Sequence, residues 1–200
     1  MKDETALAIL FIGIGGLLFT TGLFYRSISL AQWDEGAFQT IYENLYHYRG
    51  FFRYIWPLGT TPVAVILIAM TFIAGTRIGL TTTIVFALAA VLERMVKIIF
   101  RRPRPFEALS DVKMYQPRQP TDPSHPSGDA LRVWFLALVV PVAFGLSWPV
   151  YLLTLSIAAL LSLGRIVLGV HFPLDVLGGA GLGFLAAGLS IIGFQLAVIS

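Results

Sequence analysis

His171 and Asp175 stand four residues apart in GRIVLGVHFPLD (164–175), a stretch that also carries Arg165. A histidine beside a carboxylate can be held in one tautomer, leaving its other nitrogen free to attack. Two further stretches hold groups that fit such a nucleophile. KIIFRRPRP (97–105) supplies Lys97 and Arg104, and Pro103 turns the chain because it cannot continue a helix. SHPSGDALR (124–132) places Ser127 where a helix N-cap belongs, with Gly128 allowing close backbone approach. Free N–H groups and the positive dipole end at such a terminus favour an anion. A histidine facing a helix N-terminus, with three cations nearby, is equipped for phosphoryl transfer. Each piece alone has a plainer reading: a basic flank on lipid headgroups, an ordinary cap, a dipole partner, an interfacial histidine.

The elements that must position these groups follow from composition. The chain is 56% hydrophobic and 12% charged, against about 45–50% and 25% for soluble domains. That balance points to a membrane protein. With no cysteine, disulfides, thiolate metal sites and a cysteine nucleophile are excluded. A bilayer core needs about 20 mostly apolar residues, and six spans fit: 5–25, 54–76, 78–100, 130–145, 148–165 and 174 to the C-terminus. GLSWPV separates the fourth from the fifth. The first lacks a small-x-small cleavage site and reads as a retained helix, not a signal peptide. The expected fold is an all-α integral membrane domain covering residues 1–200. Residues 26–53, with Trp33, Phe38, Ile41, Leu45 and Tyr48 at roughly helical spacing, read as an amphipathic connecting segment on the membrane or capping the bundle. Residues 101–128, rich in proline and charge, read as an active-site loop.

Counting crossings brings the end of the third span, the start of the fourth, the end of the fifth and the start of the sixth to one face. Lys97–Pro105, Pro126–Arg132 and Arg165–Asp175 therefore share one mouth. Twelve of the 14 basic residues lie on or near that side, with only Lys2 and Arg77 opposite. The positive-inside rule alone would turn the mouth to the cytoplasm.

The three stretches together resemble the type-2 phosphatidic acid phosphatase superfamily of membrane lipid-phosphate phosphatases. Its K-x6-R-P motif is matched by Lys97, Arg104 and Pro105. Its P-S-G-H motif is matched by Pro126, Ser127 and Gly128, with Asp129 in place of the final histidine. Its S-R-x5-H-x3-D motif is matched by Arg165, His171 and Asp175, with Gly164 in place of serine. The resemblance implies that Lys97, Arg104 and Arg165 clamp phosphate, helped by the Ser127 hydroxyl and the Gly128 N–H. It implies that His171 forms a phosphohistidine, that Asp175 orients the ring, and that neither metal nor cofactor is needed. It also implies a lipid phosphate as substrate and a bacterial inner membrane with the mouth on the periplasmic or outer face, the location adopted here.

Asp129 is the departure, since the family's histidine protonates the leaving oxygen. Three readings are open. Asp129 is itself the acid; or Arg132, three residues on, keeps it ionised; or the site is impaired and binds or transports lipid phosphate. An ionised Asp129 favours a leaving group that needs no proton, hence a polyprenyl diphosphate over a monoester. Phosphatidate, phosphatidylglycerophosphate and transfer to another lipid headgroup are the alternatives at the same site. His125 is a further substitute for the missing histidine, although Pro126 separates it from the motif. No nucleic-acid partner is expected, and the oligomeric state is left open.

Overall fold

In hydrocarbon a lone apolar segment can satisfy its backbone polar groups only as a helix, and in the computed structural model the described residues form helices and connecting loops, without a strand. It describes the backbone of residues 2–199 and the side chains of 4–195. The helices are α1 (Lys2–Leu23), α2 (Ile28–Asn44), α3 (Arg49–Ile55), α4 (Thr61–Ala74), α5 (Thr76–Phe100), α6 (Pro105–Ala108), α7 (Gly128–Ala143), α8 (Trp148–Val167) and α9 (Pro173–Ile199). Three segments are long and apolar enough to cross a membrane unaided: Glu4–Arg26, Trp148–Val167 and Pro173–Gln195. Their neighbours complete an apolar outer belt, with Leu17 on α1, Ile73 on α4, Leu88 on α5 and Leu153 on α8 all well exposed.

The expected second span is bent. Pro57 and Pro62 each remove a backbone donor, Thr60 is extended, and Tyr46–Gly59 meets Thr61–Ala74 at 44°. α7 has 16 residues, about 24 Å at 1.5 Å per residue, so it is shorter than a typical hydrocarbon core. It packs against α4, α5, α8 and α9 and buries Phe135, Leu138 and Val139 completely or nearly so. α7 is the central post of the bundle.

Two helix contacts are closed by glycine. A Cβ on Gly15 of α1 would lie 2.7 Å from the Gly181 carbonyl of α9, and one on Gly183 would lie 2.8 Å from the Leu131 carbonyl of α7. Backbones this close allow no side chain between them, which is how helices pack tightly without a hydrophobic driving force.

The 26–53 segment caps the bundle with much of the face its aromatic spacing suggests, since Phe38 is buried and Ile41 and Leu45 pack against the core. Trp33 and Tyr48 are exposed, whereas Asp34, Phe38 and Tyr42 are buried. Asp34 is consumed at the start of α9: one oxygen accepts the Leu174 N–H at 2.8 Å. The other takes Nη2 of Arg102 at 2.5 Å. Phe38 stacks on Tyr42 and packs against Phe172. α2 thus pins the first turn of α9 from outside.

Candidate active site

The end of α5, the start of α7 and the α8–α9 connection come to one end of the bundle. Arg101 ends α5 in the left-handed conformation, with φ of 47°, and swings Arg102 and Arg104 inward, where both are buried. Tyr42 accepts the Lys113 N–H and donates to the Lys113 carbonyl, both at 2.9 Å. The Arg49 guanidinium lies about 4 Å from the rings of Tyr42, Tyr46 and Tyr115. These contacts draw the 101–127 loop over the bundle end. Beneath it opens a cavity of about 540 Å³ whose lining includes Lys97, Arg104, Gly128, Asp129, Arg165 and His171. Its size suits a small-molecule site.

His171 lies in the α8–α9 connection and is nearly fully buried. Its Nε2 is 3.1 Å from Nη1 of Arg104. Arginine can only donate, so Nε2 accepts and the ring proton belongs on Nδ1. Nδ1 is 3.4 Å from Ser124 Oγ, and Ser124 donates to Asp175 Oδ2 at 2.5 Å. The Asp175 carboxylate is 3.7 Å from Nδ1, so the serine hydroxyl carries the contact between them. Asp175 is itself held by the Phe172 N–H at 2.9 Å and by Arg102 at 2.8 Å. Burial first, and Arg104 next, push the imidazole from 6.5 down to about 3 despite Asp175. The ring is neutral, with its Nε2 lone pair accepting from Arg104.

The cavity's cations already hold carboxylates. Asp122 binds Lys97 at 2.5 Å and Arg104 at 2.8 Å, and its main-chain carbonyl takes Nε of Arg104 at 2.9 Å. Burial alone would raise its pKa; Lys97 and Arg104 outweigh this and hold Asp122 well below the usual carboxylate range. Asp129 pairs with Arg165 at 2.9 Å and, across one turn of α7, directly with Arg132. Glu93 pairs with Lys97 at 2.6 Å. Arg118 and Arg132 also line the cavity. Five cations therefore face three carboxylates, leaving two net positive charges toward an anionic ligand.

Not every residue expected at the mouth faces it. Ser127 is fully buried; its hydroxyl accepts the Ala130 N–H at 3.4 Å as the α7 cap, and its N–H goes to the Asp175 carbonyl at 2.9 Å. The hydroxyl accepts this bond and keeps its own proton to donate, and Ser127 is absent from the cavity lining. Gly128 does line the cavity, and its N–H has no intrahelical partner by position. Asp175 lies behind His171, fully buried. His125 is also buried, with Nδ1 3.3 Å from Asp175 and its ring against Tyr25. It is absent from the cavity lining and does not replace the missing histidine. Ser124, Asp122, Glu93 and Arg102 were not singled out from the sequence. For Ser124 and Asp122 the available signal was their place within five residues of Ser127.

Fold and site together define an all-helical integral membrane protein with a histidine set among arginines at one end of its bundle. A family model for the PAP2 superfamily matches residues 78–198, and the chain belongs to that superfamily. It is 36% identical over 141 residues to an undecaprenyl-diphosphatase of Sulfolobus acidocaldarius, covering 70% of this chain and 63% of that protein. It is 33% identical over 134 residues to phosphatidylglycerophosphatase B of Bacillus subtilis, covering 62% of each. The chain thus spans just under two thirds of these relatives' lengths. The crystal structure of Aquifex aeolicus LpxE superposes with a TM-score of 0.65 at 29% identity, covering 80% of this chain and 93% of that one. A transmembrane PAP2-type phosphatidylglycerolphosphate phosphatase from Bacillus subtilis shares the fold, with a TM-score of 0.65 at 23% identity over 99% and 98% of the two chains.

Proposed function

We propose that this protein is a membrane lipid-phosphate phosphatase that cleaves a polyprenyl diphosphate through a phosphohistidine, without a metal. The observation that carries the substrate preference is Asp129 between Arg165 and Arg132. A carboxylate paired with two guanidiniums stays ionised and has no proton for a leaving alkoxide. A leaving phosphate needs none. The relative at 36% identity is named for a diphosphate of the same kind.

His171 Nε2 attacks the terminal phosphorus, and the bond to the bridging oxygen breaks with its electron pair on that oxygen. Lys97, Arg104 and Arg165 stabilise the charge on the transferring group, the role metal ions fill in other phosphoryl transfers. Water then bonds to phosphorus, the pair in the N–P bond returns to Nε2, and one water proton is released with inorganic phosphate. Asp175, through Ser124, keeps the Nδ1 proton in place.

In this reading α1, the bent α3–α4 pair, α5, α7, α8 and α9 make six crossings. Residues 26–53 cap the bundle, 101–128 form the active-site loop, and the mouth faces the periplasm or exterior of a bacterial inner membrane. A second reading, a monoester phosphatase, draws on the relative named phosphatidylglycerophosphatase B. The deciding experiment measures phosphate release by detergent-purified protein with chelator present. A polyprenyl diphosphate, phosphatidate and phosphatidylglycerophosphate are compared, with His171→Ala as blank. Release chiefly from the diphosphate is expected. Faster release from the monoesters would favour the second reading, and none above the blank would overturn both.

A further inference from the structure

We infer that Arg132 is a specificity-determining residue that binds the second phosphate of a lipid diphosphate, the group expelled when His171 attacks the first. This deepens the phosphatase reading and rests on it.

The inference comes from the cations that share one space. His171, Lys97, Arg104, Arg165 and Arg132 all line the 540 Å³ cavity. One carboxylate spans the distance between Arg165 and Arg132: Asp129 Oδ2 meets Arg165 while Oδ1 meets Arg132. The two guanidiniums are therefore separated by about the reach of one small bidentate anion. A diphosphate whose terminal phosphate lies at Arg165 extends its other phosphate to Arg132 without leaving the cavity.

The surroundings of Arg132 suit a lipid diphosphate. Its Nε donates to the Gly59 carbonyl at 3.0 Å, anchoring it at the bend before α4. Val133, the next residue, lines a separate apolar groove of about 310 Å³ between α4, α7 and α8. A narrow slot lined by Asp129, Arg165, Gly59 and Val133 lies beside both spaces. Cations for two phosphates thus stand near an apolar groove fit for hydrocarbon.

The side chain is also prepared for an anion. With Nε on Gly59 and Nη2 on Asp129, Nη1 keeps no hydrogen-bond partner among the described residues. It lies beside Gly128, 3.3 Å from where a Cβ there would lie, a point that is also 2.9 Å from Glu93 Oε1. When the bridging P–O bond breaks, its electron pair adds one negative charge to the departing lipid monophosphate. A fixed guanidinium at that oxygen stabilises the charge as it develops and needs no proton transfer. A monophosphate ester has no group to place at Arg132.

The test compares wild type, Arg132→Gln and Arg132→Lys as full-length protein in detergent. A prenyl diphosphate and the monophosphate of the same prenyl chain are the substrates. The ratio of kcat/KM, diphosphate over monophosphate, is expected to fall about 30-fold in Arg132→Gln and about fivefold in Arg132→Lys, which keeps the charge but loses the fork. In parallel, binding of methylene diphosphonate and of inorganic phosphate is measured by calorimetry. The diphosphonate-to-phosphate affinity ratio is expected to fall about tenfold in Arg132→Gln. A merely structural Arg132 would lower both substrates and both ligands alike, and unchanged ratios would overturn the inference. If Arg132→Gln does not fold, Arg132→Lys decides by the same ratios. Wild type that releases no phosphate would strike the phosphatase reading instead, and the binding ratios would still judge Arg132.

Discussion

Nη1 of Arg104 rests 3.1 Å from Nε2 of His171, so a permanent cation touches the nitrogen assigned to bond phosphorus. It fixes the tautomer and suppresses protonation, and it stands ready to move onto a phosphate oxygen.

The first expectation concerns pH. In the proposed reaction the neutral imidazole is the reactive form, and burial lowers the pKa of His171 from 6.5 to about 3. Between those values the unfolded chain binds a proton that the folded site refuses, so stability falls as pH drops through that window. The nucleophile itself stays intact. In ¹³C-histidine spectra, the resonance that disappears in His171→Gln should not titrate between pH 8 and pH 5. Titration near 6.5 would contradict the buried, Arg104-contacted ring.

Ser124→Ala removes the hydroxyl between Nδ1 of His171 and Asp175. Loss of such a supporting partner costs about 10–100-fold at comparable sites. Single-turnover phosphate release should slow by that factor with KM nearly unchanged. A KM effect instead would place Ser124 in substrate binding.

Asp122 competes with phosphate for Lys97 and Arg104. Because it is partly exposed, its pairing is screened and modest. In Asp122→Asn the inhibition constant for inorganic phosphate should fall about three- to tenfold at low salt, with a smaller gain at high salt. Weaker inhibition would mean that Asp122 holds the two cations in register.

Asp34 is buried against Arg102 and the first turn of α9. Asp34→Ala removes one of the two carboxylates on Arg102, which keeps Asp175, and leaves the Leu174 N–H without its acceptor; it should destabilise the protein by about 1–3 kcal/mol. Glu35→Ala, on the exposed side of α2, should change stability by less than about 0.5 kcal/mol. Thermal melting of both variants in one detergent compares them directly.

The residues legible in advance were those whose meaning is local. Lys97 to Arg104 and His171 to Asp175 are spacings within one helix end. Pro126–Ser127–Gly128 announces a helix start, and the apolar runs announce helices. Asp34 was unreadable because its partners, Arg102 and Leu174, lie 68 and 140 positions away. On α2 the spacing picked out Phe38 and Ile41, which do pack inward, but gave no sign that Asp34 is buried beside them while Trp33 is exposed. Ser127 was legible as a helix cap, and its hydroxyl does accept the Ala130 N–H. Asp122 gave no local sign because its role is set by cations that a folded loop brings to it.

The glycine seam between α1 and α9 joins helices far apart in the chain. At ribosomal rates of about 5–20 residues per second, α1 waits on the order of ten seconds before Gly181 emerges. Asp175 and the Leu174 N–H arrive on α9 as well, so the contacts of Asp175 with Ser124 and Arg102, and of Leu174 with Asp34, form only once α9 has been made.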